Sequence, residues 1–397
     1  MSTATTPTPK RSRPGRILLA ALLLLTLGWL IGSRFGSPHS SPPVPFVPYP
    51  EPNAAPTTGN DIERPRNIIL VVADGFGFAH LSLALHTGGQ QPPVWHRFQE
   101  RGWHDPRPIE GTITDSAASA TAMATGRLTR NEAVGVDRDD QPLTTLFETA
   151  WERGVRTGIV TDSYIWDATP AAFATHTSNR DNAEDILRQL AASELDVLFG
   201  ELEDVGEGDV PGWDETIDIL EQRFTLLDES LEIPEDLSAD SPIATVHPED
   251  SITDLDSTPS LLSMVEVALE RLSQPEEPFL LLIETEEHDS ASHRRDGRRV
   301  ATAVQTLNQL VEEVLDFAQT RSDTLLVVTS DHETGGLALG YELASYPDIV
   351  PLWSSEDHTA TVVPLFADGP GAARLKNVHR VWQVGEALED LLGNTNE

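Results

Sequence analysis

The chain has no cysteine in its 397 residues. No disulfide can support the fold and no thiolate can hold a metal, which excludes zinc-finger, iron–sulfur and lipobox-anchored readings. Any bound metal must rely on carboxylate, imidazole or hydroxyl groups. Basic residues are also scarce: 27 Lys and Arg face 64 Asp and Glu, for a formal net charge of -37. Lys10, Arg11, Arg13, Arg16 and Arg34 all precede the first acid, Glu51, so the rest of the chain is more acidic still. Such a body repels nucleic acid phosphates, and no nucleic-acid-binding module is expected. A solvated acidic surface accounts for the charge.

Long apolar runs are lacking as well, with one exception at residues 17–31, ILLAALLLLTLGWLI, which follow four positive charges. This pattern predicts export. Gly32, Ser33, Arg34 and Phe35 offer no A-x-A cleavage pattern. The run is shorter than the roughly 20 residues of a comfortable span, although Gly32 and Ser33 extend it. The reading favours an uncleaved anchor with its positive charges inside the cell, hence a membrane partner, with secretion as the outcome of cleavage. Residues 1–36 are then the basic and apolar signal or anchor. Residues 37–63, rich in Pro and Ser, form an extended spacer. The folded domain covers 64–397, with an acidic, weakly periodic excursion around 201–259 and no internal repeat.

Within that domain NIILVVAD (67–74), VRTGIVTD (155–162), LDVLFG (195–200), PFLLLIE (278–284) and DTLLVVTSD (323–331) are continuous apolar runs. Amphipathic patterns such as TTLFETAWERG and RVATAVQTLNQLVEEVLDFAQ lie between them. Apolar strands alternating with helices predict an α/β fold, a mainly parallel sheet with helices on both faces. Ligands in such folds collect beyond the carboxyl ends of the strands. Asp74, Glu284 and Asp331 all stand at such ends.

Asp289 and His293 are four apart, a spacing that puts carboxylate and imidazole on one helix face. Asp331 and His332 are adjacent at a strand end, and His358 is a further candidate imidazole. Singly, each has an ordinary explanation as a cap or a satisfied core group. Together they predict a two-metal hydrolase. Ser116 opens an alanine-rich helical run, SAASATAMATG, whose small side chains allow close packing and whose positive end favours an alkoxide. Metal coordination would lower its pKa, so no catalytic histidine is needed.

At these residues the chain resembles the alkaline phosphatases, from about Asn67 to Leu392 with an interruption in the acidic stretch. NIILVVADGFG, TDSAASATA, DATPAAFATHTSNR, E-x4-D-x3-H, SDHETGG and DHTATVVPLFADGPG occur in the family's order. The resemblance implies hydrolysis of phosphate monoesters through a phosphorylated serine, here Ser116. It implies two Zn²⁺, one on Asp289, His293 and His358 and the other on Asp74, Asp331 and His332. One Mg²⁺ would lie on Asp74, Thr169 and Glu284, with Asp167 holding its waters. Arg180 matches the arginine that clamps phosphate. A homodimer is left open.

Two departures stand out. Thr285, Glu286, Glu287 and His288 follow Glu284 where the family commonly has glycine first, and they are expected to crowd charge near the magnesium. Ser290 follows Asp289 where relatives often carry a lysine, histidine or tryptophan, and it is expected to face the phosphate. A phosphodiesterase of the same superfamily and a non-catalytic phosphate-binding protein are the alternatives. The sulfatase pattern C/S-x-P-x-R occurs only at Ser12–Arg16, ahead of the apolar run.

Overall fold

The computed structural model describes residues 63–87, 93–203, 212–274, 277–340 and 348–392. All lie in the unit Glu51–Glu397; the unit Met1–Pro50 is outside the described residues. The expected anchor and nearly all of the expected spacer therefore fall outside them too. Among the described residues no helix is long and apolar enough to cross a membrane. The longest, Gly297–Thr320, has the length but carries Arg298, Arg299, Glu312, Glu313 and Asp316. The expected membrane partner is corrected to this extent: no described helix supplies it, and residues 17–31 lie outside the described residues.

The strands are β1 (Asn67–Ala73), β2 (Glu100–His104), β3 (Arg156–Tyr164), β4 (Val197–Leu202), β5 (Thr225–Leu226), β6 (Ile243–Pro248), β7 (Phe279–Thr285), β8 (Thr324–Thr329), β9 (Glu333–Thr334), β10 (Ala338–Gly340), β11 (Val350–Leu352), β12 (His358–Thr359) and β13 (Val363–Asp368). Nine form one sheet in the order β2-β13-β8-β1-β7-β3-β4-β6-β5. From β8 to β5 all neighbours are parallel, and β13 runs antiparallel to both β8 and β2. This is the mainly parallel α/β sheet that the apolar runs predict. The acidic stretch read as an excursion supplies β5 and β6, which extend one edge.

The helices are α1 (Phe78–Thr87), α2 (Ser116–Thr125), α3 (Leu146–Glu152), α4 (Ala168–Ala174), α5 (Ala183–Ala192), α6 (Trp213–Leu220), α7 (Leu261–Ser273), α8 (Glu287–His293), α9 (Gly297–Thr320) and α10 (Val381–Leu392). Side chains alternate across a strand, and β1 divides accordingly. Ile68, Leu70 and Val72 join a core with residues of α2 to α5 and α10. Ile69, Val71 and Ala73 join a second core with α1, α7 and α9. Burial on both faces is the physical reason β1 is apolar throughout.

Register then sets the functional rim. Val72 of β1 lies between Glu284 of β7 and Thr329 of β8, and Glu284 lies opposite Thr161 of β3. Asp74 and Asp331 leave the sheet just beyond. The short pairing of β9 with β12 sets His358 opposite Thr334, which returns a distant part of the chain to His332.

Candidate metal centre and nucleophile

Ser116 is the first residue of α2, and the cap is its neighbour Asp115, whose Oδ1 accepts from Ala118 N at 2.8 Å. The serine hydroxyl is thus free of capping. It lies 3.2 Å from His332 Nε2 and is 5 % exposed. Ser119, one turn on, donates to the Asp331 carbonyl at 2.7 Å and ties the small-residue helix to the strand end. Close packing by alanines puts the first turn of α2 against this rim, as the composition of the run predicts.

Three imidazoles converge. His332 and His358 stack with ring centroids 3.5 Å apart, and His293 lies 5.1 Å from His358. His293 Nδ1 donates to the Glu356 carbonyl at 2.7 Å and His358 Nδ1 to the Thr114 carbonyl at 2.8 Å. A carbonyl can only accept, so both rings carry a proton on Nδ1, which leaves Nε2 as the atom a metal would take in place of a proton. Those nitrogens face Asp289: His293 Nε2 is 3.2 Å from Oδ2, and His358 Nε2 is 3.7 Å from Oδ1. His332 Nε2 lies 3.4 Å from Asp74 Oδ1 and 3.2 Å from Asp331 Oδ2. Thr334 donates to Asp289 Oδ1 and stands 3.2 Å from His332 Nδ1.

Among the described residues two groups have ligand atoms close enough to share an ion: Asp289, His293 and His358, and Asp74, Asp289 and His332. The first is the set expected for one zinc. The second holds two of the three residues expected for the other, with Asp331 beside His332. Four polar atoms at this rim are buried with no hydrogen-bond partner: Asp74 Oδ1, Asp331 Oδ2, Glu284 Oε1 and Thr169 Oγ1. Leaving such atoms unpaired is costly. Divalent cations fit them: mixed imidazole and carboxylate donors suit Zn²⁺, and the oxygens of Glu284 and Thr169 suit Mg²⁺.

The electrostatics point the same way. Burial and the neighbouring Asp331 push Asp74 well above the usual carboxylate range. Burial, then Asp289, raises Asp331 to about 6. Burial also raises Glu284 and holds His332 well below its ordinary value. For Asp289 burial is outweighed by the His293 hydrogen bond and by His332 and His358, and its pKa falls. A site whose bare carboxylates would rather be protonated is one that lacks positive charge.

Arg180 donates from Nη2 to Asp167 Oδ1 at 2.7 Å, and Asp167 caps α4 while accepting from Ser163. A bridge through Glu132 links the backbone of this arginine to Asp115, the neighbour of the nucleophile. Glu132 N donates to Asp115 Oδ2 at 2.6 Å, and the Glu132 carbonyl accepts from Arg180 N at 2.9 Å. Glu132 adopts a left-handed conformation, φ 69°, to do so.

The residues after Glu284 depart from expectation. Because α8 begins at Glu287, its turn carries Glu287 and His288 away from the face of Asp289 and His293. Glu287 pairs with Arg299 at 2.6 Å. His288 packs edge-on against Phe76, and burial lowers it to about 4, so it is neutral. Of these four residues, Glu286 is the one that adds acid near the site. Its Oε1 accepts from Ser290 Oγ at 2.6 Å, so Ser290 is engaged by a carboxylate. Sequence reasoning missed Asp162, which accepts from Glu286 N at 2.6 Å and is raised by burial to about 8. It also missed Thr161, which donates to Glu284 Oε2 at 2.6 Å. The one available signal was that VTD closes an apolar run as VVAD and VTSD do.

The profile of the alkaline phosphatase family matches residues 65–200 and 236–352. The chain belongs to the alkaline phosphatase family. Alkaline phosphatase 3 of Bacillus subtilis is 28 % identical over 312 residues, covering 73 % of this chain and 66 % of its own length. The repressible alkaline phosphatase of Saccharomyces cerevisiae is 31 % identical over 336 residues, covering 72 % of this chain and 58 % of its own. The chain thus spans about two thirds or less of the length of these curated relatives. Among solved structures, the alkaline phosphatase of the Antarctic bacterium TAB5 superposes with a TM-score of 0.74 at 25 % identity, covering 84 % of this chain and 99 % of that one. The Thermus thermophilus alkaline phosphatase, at 20 % identity and a TM-score of 0.72, shares the fold.

Proposed function

We propose that this member of the alkaline phosphatase family hydrolyses phosphate monoesters through a phosphorylated Ser116. The observation that carries the reading is the contact of Ser116 Oγ with His332 Nε2 at 3.2 Å, on an imidazole that itself stands 3.4 Å from Asp74 and 3.2 Å from Asp331. Two Zn²⁺ would be held by Asp289, His293 and His358 and by Asp74, Asp331 and His332, and one Mg²⁺ by Asp74, Thr169 and Glu284 beside Asp167. A variant of the TAB5 enzyme is described with Mg bound in its M3 site. Metals so held supply charge neutralisation and lower the pKa of a coordinated hydroxyl.

Ser116 Oγ attacks phosphorus, and the ester oxygen leaves on the opposite side. Water then attacks the same phosphorus, breaks its bond to Oγ, and releases inorganic phosphate with the serine restored. Arg180 offers a planar fork to two phosphoryl oxygens, and Asp167 and Glu132 hold it in place. Ser116→Ala is expected to abolish the acid-stable phosphoenzyme and reduce turnover by several orders of magnitude while zinc content stays at the wild-type level. Phosphoenzyme persisting in that variant would refute the assignment.

A further inference from the structure

Arg295 stands where the ending of a helix favours glycine. Helix α8 closes with two reverse hydrogen bonds, from Arg295 N to the Ser292 carbonyl at 3.0 Å and from Asp296 N to the Ala291 carbonyl at 2.8 Å. This ending requires a left-handed residue at the first of those donors, a place usually filled by glycine because a Cβ there crowds the following carbonyl oxygen. Arg295 takes that conformation, with φ 52°. Asp296 then opens α9 by accepting from Arg298 N and Arg299 N, so the corner between the two helices turns on this arginine.

The side chain gives the strain a use. Arg295 Nη2 pairs with Glu356 Oε1. The carbonyl of that same Glu356 accepts the His293 Nδ1 proton at 2.7 Å, and His293 Nε2 faces Asp289 Oδ2 at 3.2 Å. On either side of Glu356, Ser355 N donates to the Gly335 carbonyl at 3.0 Å and the Asp357 carbonyl accepts from Gly335 N at 3.2 Å. Among the described residues Glu356 itself is tied by its contacts with His293 and Arg295. Its peptide has a further hold at the other end, where Asp357 N donates to Ser355 Oγ at 3.0 Å. Arg295 is thus one of two anchors on the carbonyl that orients a ligand imidazole.

We propose that Arg295 is a positioning residue: through Glu356 it steadies His293, and so it raises the affinity of the site formed by Asp289, His293 and His358 for zinc. The inference rests on the metal reading above. Glycine would suit the backbone better, but it would lose this link. The paired side chains are 44 % and 75 % exposed, so the pair contributes at most about fivefold to an equilibrium, and less as salt screens it.

The test titrates zinc into metal-free protein in competition with a coloured chelator, for the wild type, R295Q, R295K, R295G, E356Q and R295Q/E356Q. One of the two zinc steps is expected to weaken by up to about fivefold in R295Q, R295G and E356Q, with the other step unchanged and R295K near the wild type. The double variant is expected to be no weaker than either single one, because both changes remove the same pair. Melting of the metal-free proteins separates positioning from a merely structural role. R295G relieves the left-handed strain and is expected to melt above R295Q, yet to bind zinc as weakly. Zinc affinity that instead follows melting temperature, with R295G better than R295Q, would overturn the proposal, as would two unchanged zinc steps in R295Q. A wild type that binds no zinc would overturn the metal reading and this inference with it.

Discussion

Thr161→Val isolates one bond behind the proposed magnesium site. Thr161 and Glu284 are both fully buried, and the hydroxyl donates to Glu284 Oε2 at 2.6 Å while Oε1 has no partner. The bond therefore fixes which oxygen turns to the cation. A net hydrogen bond to a charged group contributes about 1.5–3 kcal/mol, roughly 12- to 140-fold in an equilibrium. That range agrees with the 10–100-fold in metal affinity that is typical for groups orienting a ligand. The hydroxyl also accepts from Ser163 N at 2.9 Å, so valine leaves that amide unpaired and costs stability as well. Thr161→Ser keeps both bonds and serves as the control. The assay is Mg²⁺ titration at saturating Zn²⁺, read by activity and by melting temperature. The midpoint is expected to rise about 10- to 100-fold in Thr161→Val and to stay near wild type in Thr161→Ser. An unchanged midpoint in Thr161→Val would show that Glu284 does not hold magnesium through Oε1.

Removal of metal is expected to lower the melting temperature, and Zn²⁺ with Mg²⁺ to restore it, because ions that bind only the folded state stabilise it by about 4 kcal/mol at 1,000 times Kd. In chelated protein Asp331 is raised to about 6, so the folded state binds more protons than the unfolded state above the ordinary value of 3.8. Stability conferred by that group is present below 3.8 and falls by about 3 kcal/mol as pH rises to 6; melting curves in EDTA across this window check the sign, and a melting temperature that rises with pH there would refute it. Ser290→Lys is expected to tighten inhibition by inorganic phosphate only in combination with Glu286→Gln, since Glu286 otherwise pairs with the new cation; inhibition constants of the single and double variants test this.

The central sheet was legible because its strands are buried on both faces, and NIILVVAD, PFLLLIE and DTLLVVTSD can be little else. Legible too was the rim, since acids at the ends of parallel neighbours must meet. The acidic stretch hid β5 and β6, because exposed Asp and Glu in the connections outweigh a six-residue strand in any window. His358 could be proposed as a ligand, but what brings it home is a two-residue pairing of β9 with β12, too short to leave a periodic signal.

The tuning of the site was the least legible part, for a physical reason. The two groups that fix the protons of His293 and His358 are the carbonyls of Glu356 and Thr114, and backbone groups exist at every position whatever the side chain. Thr161 acts through one hydroxyl inside a strand whose neighbours are chosen for burial, so nothing in VRTGIVTD distinguishes it from a packing residue. Charge crowding after Glu284 was misjudged because sequence proximity is not spatial proximity in a helix. One turn of α8 sends Glu287 to Arg299 and His288 into the core, and keeps Asp289 and His293 on the metal face. A substitution in this segment must therefore be judged by its angle around α8 before its charge.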